Sequence, residues 1–216
     1  MAMTTGAEIS DNVAPLEKGT RHLVRIAGAI AGSSEGQVRS LMAEALDEVD
    51  PVAVEEIILQ SYLFAGFPRT LNAMRVWRSV SKRPAPTREP AESTSDLDTW
   101  RERGEETCEI VYGDSYEKLR KNVLDLHPVL EDWMIVDGYG KVLARPGVDL
   151  RTRELCVVAA CAVSGQQRQL HSHLYGALNA GAPVGEVRAV LEALGDLISR
   201  EDLVRYKQLL QKVQAH

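Results

Sequence analysis

The stretch Arg151–Glu192, RTRELCVVAACAVSGQQRQLHSHLYGALNAGAPVGEVRAVLE, decides how the rest of the chain is read. Thr152, Cys156 and Ala159 recur at helical spacing and give a helix over about Arg151–Ser164 an apolar stripe. Helices over Gln167–Ala180, Gly185–Ile198 and Glu201–Val213 follow it. Upstream, Arg145-Pro146-Gly147 is a loop. Tyr116–Leu124 and Pro128–Tyr139 are further helix candidates, the second capped by a residue near Leu126. Asp98–Val111 reads as a helix that ends in the turn Tyr112-Gly113-Asp114.

Lys82–Asp98, KRPAPTREPAESTSDLD, has three prolines and almost no apolar residue, which marks an exposed linker. Before it, Leu23, Ile26, Ala27 and Ile30 share one helical period, and Val38, Leu41, Met42 and Ala45 another. Asp50-Pro51 is a helix start, continued by Val54, Ile57, Ile58 and Ser61. Gly66 and Pro68 break that run, and a last helix of this half spans Thr70 to about Val80. Sliding the sequence by 132 positions (153 − 21) sets Thr20-Arg21-x-Leu23 on Thr152-Arg153-x-Leu155 and Pro51-Val52 on Pro183-Val184. About 40 residues align without a gap. The expected organisation is therefore a degenerate repeat at 14–81, a linker at 82–98 and a second copy at 99–214.

Composition bounds the function. The chain has 216 residues, 44% hydrophobic but only 5% aromatic, a balance that favours helix over sheet. Its formal charge is −6, with no basic stripe dense enough to neutralise several phosphates, so nucleic acid is a poor partner. No apolar stretch reaches the roughly 18 residues of a membrane span. The opening MAMTTGAEISDNV lacks the features of a secretory signal, and three cysteines make no disulfide framework. The expectation is a cytoplasmic, all-α protein.

One pair of residues carries chemistry. Arg153-Glu154 opens one helix, and His173 lies 19 positions later (173 − 154) on the next. Two such side chains converge across a helical hairpin. Burial raises the pKa of a carboxyl group and a neighbouring carboxylate raises that of an imidazole, the conditions under which a Glu–His pair moves protons at neutral pH. The same residues also fit a capping glutamate beside an ordinary core histidine.

The stretch resembles the carboxymuconolactone decarboxylase-like family of the alkylhydroperoxidase-like superfamily. The shared pattern is R-E-L, an Ala-rich helix, Q-L-x-x-H, A-L-x-x-G and E-V-x-x-V-L. YGKVLARPGVDL upstream is similar to the decarboxylase branch, as are Arg101–Gly104 and Val111-Tyr112-Gly113. EEIILQSYLFAGFPRTLNAM in the first half is similar to a further family segment. The resemblance implies an all-α bundle with two related halves, and assembly as a homo-oligomer, a trimer or dimer of this double-length chain.

The peroxidase branch uses a Cys pair, which would fall at Gln166 and Gln169; neither is Cys. Cys156 and Cys161 lie on the preceding helix, five apart, a spacing that makes neither a redox couple nor a zinc pair and fits small buried hydrophobes. The decarboxylase branch needs no thiol, metal or organic cofactor. It implies His173 as proton donor, Glu154 as its orienting partner, and Arg153, Arg168, Gln169 and Tyr62 around a small anionic lactone or related acid. A thiol oxidoreductase using Cys156 or Cys161, and a non-catalytic binding protein, stand as alternatives.

The halves have lost complementary pieces. His22 and Leu41 occupy the Glu and His positions of the first copy, whereas only that copy keeps Tyr62, Gly66 and Pro68. A composite pocket would combine Tyr62 with Glu154 and His173; alternatively, YLFAGFP is a helix break with Phe64 and Phe67 in the core. His171, His127 and His22 read as structural or solvated. Trp77, Trp100 and Trp133 read as core or interface, and Glu102, Glu105 and Glu106 as a solvated helix face.

Overall fold

Asp50 and Pro51 open a helix as their pairing predicts: the Asp50 carboxylate accepts the Val52 N–H at 2.9 Å, and Pro51 occupies a position that needs no donor. Capping of this kind recurs along the chain. Ser34 and Gln37 form a reciprocal capping box, Asp149 accepts from Thr152, and Ser199 accepts from Asp202. The computed structural model describes residues 16–87 and 97–215, and these are all-α, with no strand among the described residues. The opening MAMTTGAEISDNV, and positions 88–96 of the linker, lie outside the described residues.

In the first half, α1 spans Lys18–Gly32, α2 Glu35–Glu44, α3 Pro51–Gln60 and α4 Tyr62–Ser81. After the linker, α5 spans Leu97–Tyr112, α6 Tyr116–Leu126 and α7 Pro128–Trp133. A π-helical segment, Met134–Leu143, leads to α8 Leu150–Val163, α9 Gln167–Asn179, α10 Val184–Ala193 and α11 Arg200–Gln214. Helix α1 starts at Lys18 where α8 starts at Leu150, and α2 at Glu35 where α9 starts at Gln167, so both pairs keep the offset that aligns the two halves of the sequence.

Three expected boundaries move. The helix predicted over Pro128–Tyr139 stays α-helical only to Trp133, and His127 caps it by accepting the Val129 N–H on Nδ1 at 3.1 Å. It then widens into π turns, where Gly140 and Gly104 let the segment's backbone lie directly on α5. The helix predicted to Ile198 ends at Ala193, and the chain turns to present Ser199 as the next cap. The break at Gly66 and Pro68 is a kink inside α4. Gly66 takes φ 77°, a conformation that costs an L side chain dearly, and Pro68 then sits in the first turn of the straight part.

The core runs through both halves. α1 lies along α8, burying Ile26, Ala27 and Ile30 with Val158, Ala159 and Ala162 in one continuous cluster. Helix α9 packs beside α8, α5 closes over α9, and α3 and α4 bring the first half's polar residues up to the start of α8. Trp77 is fully buried, as a core reading predicts.

Arg153 holds the halves together. It is fully buried, and its Nη2 donates to Glu56 Oε2 at 2.8 Å and to the carbonyls of Arg145 and Pro146 at 3.0 Å. Nη1 faces Gln60 Oε1 at 3.3 Å and Nε faces the Val148 carbonyl at 3.2 Å, while Gln60 returns a bond to the Arg153 carbonyl at 2.9 Å. Glu56 also accepts two bonds from Arg145, at 2.8 and 2.9 Å. Burial pushes the Glu56 carboxyl up, but the hydrogen bonds from Arg145 and Arg153 outweigh it and hold the group below the usual carboxylate range. Breaking a buried pair strands the remaining charge. Glu56→Ala is therefore expected to destabilise the fold by roughly 3–5 kcal/mol in urea denaturation. Because the folded Glu56 is the stronger acid, its contribution is complete above the unfolded carboxyl's pKa and is lost as pH falls through the folded value. Glu56→Gln should flatten that acid-side loss of stability.

Candidate active site

Helices α8 and α9 form an antiparallel hairpin through Ser164–Gln166. At about 1.5 Å per residue, Glu154 stands roughly 15 Å and His173 roughly 10 Å from that turn, near enough in height for their long side chains to meet across the hairpin. His173 Nδ1 and Glu154 Oε2 are 2.8 Å apart, and both side chains are buried. The other Glu154 oxygen, Oε1, is buried without a partner. The contact engages Nδ1, so Nε2 is the ring nitrogen not committed to Glu154.

The imidazole is held by aromatic edges. Phe64 of α4 meets it at 5.9 Å between centroids, interplanar angle 87°, and Tyr112 of α5 at 6.4 Å. Tyr139 of the π segment backs Tyr112 at 6.2 Å. Desolvation pushes the Tyr112 phenol up to about 12 and that of the fully buried Tyr139 well above its ordinary value, so both stay protonated at neutral pH.

His173 lies in the wall of a cavity of about 740 Å³, a volume suited to a small organic ligand. Tyr62, Leu63 and Phe64 line it from α4, Val123, Leu130 and Trp133 from α6 and α7, and Arg168 and Gln169 from α9. Most of that wall is apolar. Trp133, 57% exposed, stands at the mouth. Of the residues expected at a site, the structure brings His173, Arg168, Gln169 and Tyr62 to one cavity, with Glu154 directly behind His173.

Arg153 is not among them. Every nitrogen of its guanidinium is spent on Glu56, Gln60 and backbone carbonyls, so the expectation that it binds substrate is corrected to a structural clamp. Tyr112, Phe64 and Gly176 are the site residues that sequence reading missed. Phe64 faces the imidazole, while Phe67 is 62% exposed and is no core residue.

None of the three cysteines is among the residues that line the cavity. Cys108, Cys156 and Cys161 are all buried and free. Desolvation pushes the thiols of Cys108 and Cys161 up to about 12 and that of Cys156 further still, which disfavours the thiolate a peroxidase needs. Among the described residues, no three His, Cys, Asp or Glu side chains gather as a metal-ligand set. Nor is any described helix long and apolar enough to cross a membrane.

The π segment, the α8–α9 hairpin and α10 fall within residues 131–196, which match the model of the Carboxymuconolactone decarboxylase family. The likeness to that family is thus carried by this segment of the chain. The segment holds both members of the Glu154–His173 pair, whereas Tyr62, Phe64 and Tyr112 reach the cavity from outside the matched residues. Over most of its length the chain is similar to Peroxisomal protein 2 of Schizosaccharomyces pombe, 28% identical over 200 residues that cover 89% of this chain and 91% of that protein.

Within the matched residues, Gly176 makes room for the pair. A Cβ there would stand 2.5 Å from Glu154 Oε2 and 2.7 Å from Val111 Cγ1. Glycine to alanine inside a helix ordinarily stabilises by about 0.5–1 kcal/mol. Gly176→Ala is expected to lower the melting temperature instead, and to shift the His173 ring resonances in NMR as Glu154 is displaced.

Proposed function

We propose that the protein is a proton-transfer enzyme, a cofactor-free lyase of the carboxymuconolactone decarboxylase type acting on an anionic lactone or related acid. The observation that carries this reading is the buried 2.8 Å contact between His173 and Glu154 at the wall of an apolar cavity. In the reaction, the bond between carbon and the leaving carboxylate breaks and CO2 departs. Its electron pair enters a conjugated dienolate, and protonated His173 delivers the Nε2 proton to carbon. Water restores the imidazolium. Glu154 orients the ring through Nδ1, and the neutral Tyr112 hydroxyl donates to the enolate oxygen. Arg168 attracts the anionic substrate at the rim. The apolar wall removes water from the carboxylate and strengthens each of these contacts.

A panel of carboxylated lactones and unsaturated acids, assayed for CO2 release, tests the reading. For any acid turned over, His173→Ala is expected to lower kcat by about 10²–10⁴-fold, with Glu154→Gln losing part of that. Unchanged turnover in His173→Ala overturns it.

Self-association belongs to the same reading. Leu124, Leu126, Val129, Leu130 and Trp133 are exposed on α6 and α7, and the last two also line the cavity, apolar surface of the kind subunit contacts cover. Light scattering on the eluted protein is expected to give a trimer or dimer; a clean monomer contradicts it. We place the protein inside the cell, in the cytoplasm or, following the fission yeast relative's printed name, in peroxisomes.

A further inference from the structure

The chain carries six more acidic than basic side chains, and most of its described cations are answered by a carboxylate: Lys18 by Glu48, Arg25 by Asp196, Arg78 by Glu55 and Lys207 by Glu192. Two exceptions stand together. Neither Arg168 of α9 nor Lys212 of α11 has an ion-pair partner among the described residues, and both line a groove of about 480 Å³ between those helices. His171 and Arg205 line it too; Arg205 is paired with Asp202, and its guanidinium lies 5.4 Å over the Tyr206 ring. Arg168 also lines the cavity that holds His173, so the groove and the cavity meet at one side chain.

We propose that the groove is a second subsite, which takes the doubly charged, phosphate-class end of a ligand whose apolar body occupies the His173 cavity. Each half of such a ligand matches one compartment. The larger cavity offers aliphatic and aromatic walls with one carboxylate, Asp137, and shares Arg168 with the groove, whereas the groove adds Lys212 and so sets two unanswered positive charges together. A phosphate monoester carries about −1.5 to −2 charges at pH 7, enough to answer both, and its oxygens accept the fork of an arginine and the point charge of a lysine together. A lone carboxylate leaves one cation unanswered. Two unpaired cations are too few for a nucleic-acid track, whose affinity grows with the number of phosphates neutralised.

The inference rests on the proton-transfer reading only in sharing its cavity, and binding measured apart from turnover separates the two. Decyl phosphate, decanoate and decanol serve as probes in calorimetric titrations at low ionic strength, against wild type, Arg168→Ala, Lys212→Ala and His173→Ala. Both cations are exposed, so unchanged melting curves are expected for their variants. Decyl phosphate is expected to bind wild type at least about tenfold more tightly than decanoate or decanol, and to lose roughly tenfold with each cation removed, as one charge-assisted contact is worth. His173→Ala should keep the decyl phosphate affinity. Equal affinity for decyl phosphate and decanoate, or a Lys212→Ala titration identical to wild type, overturns the second subsite. An oligonucleotide that binds as tightly as decyl phosphate and depends on the same lysine also overturns it. Normal turnover in His173→Ala with phosphate binding intact removes the proton-transfer reading and leaves the subsite standing.

Discussion

The structure depends on how Arg153 is satisfied. A guanidinium with no exposure to water must find an anion and enough acceptors, and this one finds them in Glu56 and Gln60 of α3 and in the carbonyls of Arg145, Pro146 and Val148. Those partners lie on both sides of the linker. By meeting them, Arg153 fixes the start of α8 against α3, and with it the following α4, whose first turn carries Tyr62 and Phe64 to the cavity. The neighbouring residue on the same helix, Glu154, points about 100° away around the axis and reaches His173 instead.

Consecutive side chains thus divide the labour. One joins the two halves of the chain, and the other positions the group that would move a proton. The arrangement explains why a cavity lined by both halves can be well defined with few polar residues. The imidazole is set by a carboxylate below and by aromatic edges from α4 and α5, all on elements that pack directly on α8 or α9 or are joined to them through the clamp. A fixed site geometry needs supporting groups locked by packing, and here Glu154 and Tyr139 are buried and Phe64 and Tyr112 half-buried.

What could be read from the sequence follows distance along the chain. Glu154 and His173 lie on consecutive helices joined by a short turn, so periodicity alone brings them together. The Asp50-Pro51 start, the break at Gly66 and the helices of the last third rest on local signals of the same kind. The role of Arg153 was hidden because its partners Glu56 and Gln60 lie 97 and 93 positions away, and nothing local distinguishes a clamp from a ligand-binding arginine. Tyr112 and Phe64 sat inside stretches that read as a turn and a helix break. Gly176 did leave a trace: a glycine inside a strong helix, one turn beyond His173, costs stability unless something needs its space. The π turns after Trp133 had no sequence signal, because the widening answers a contact with α5 rather than a local preference.

The adjacency of Arg153 and Glu154 has a consequence for how this chain can change over time. Inserting or deleting a single residue between Glu154 and Ala159 would turn both side chains by about 100° relative to the packed remainder of α8, taking both from their partners at once. Architecture and site therefore share one helical phase. A descendant can reshape the cavity by substitution on α4, α6 or α7, but the register of α8 has to be inherited whole. A lineage that keeps Glu154, His173 and that register keeps the geometry between them, whatever comes to occupy the cavity.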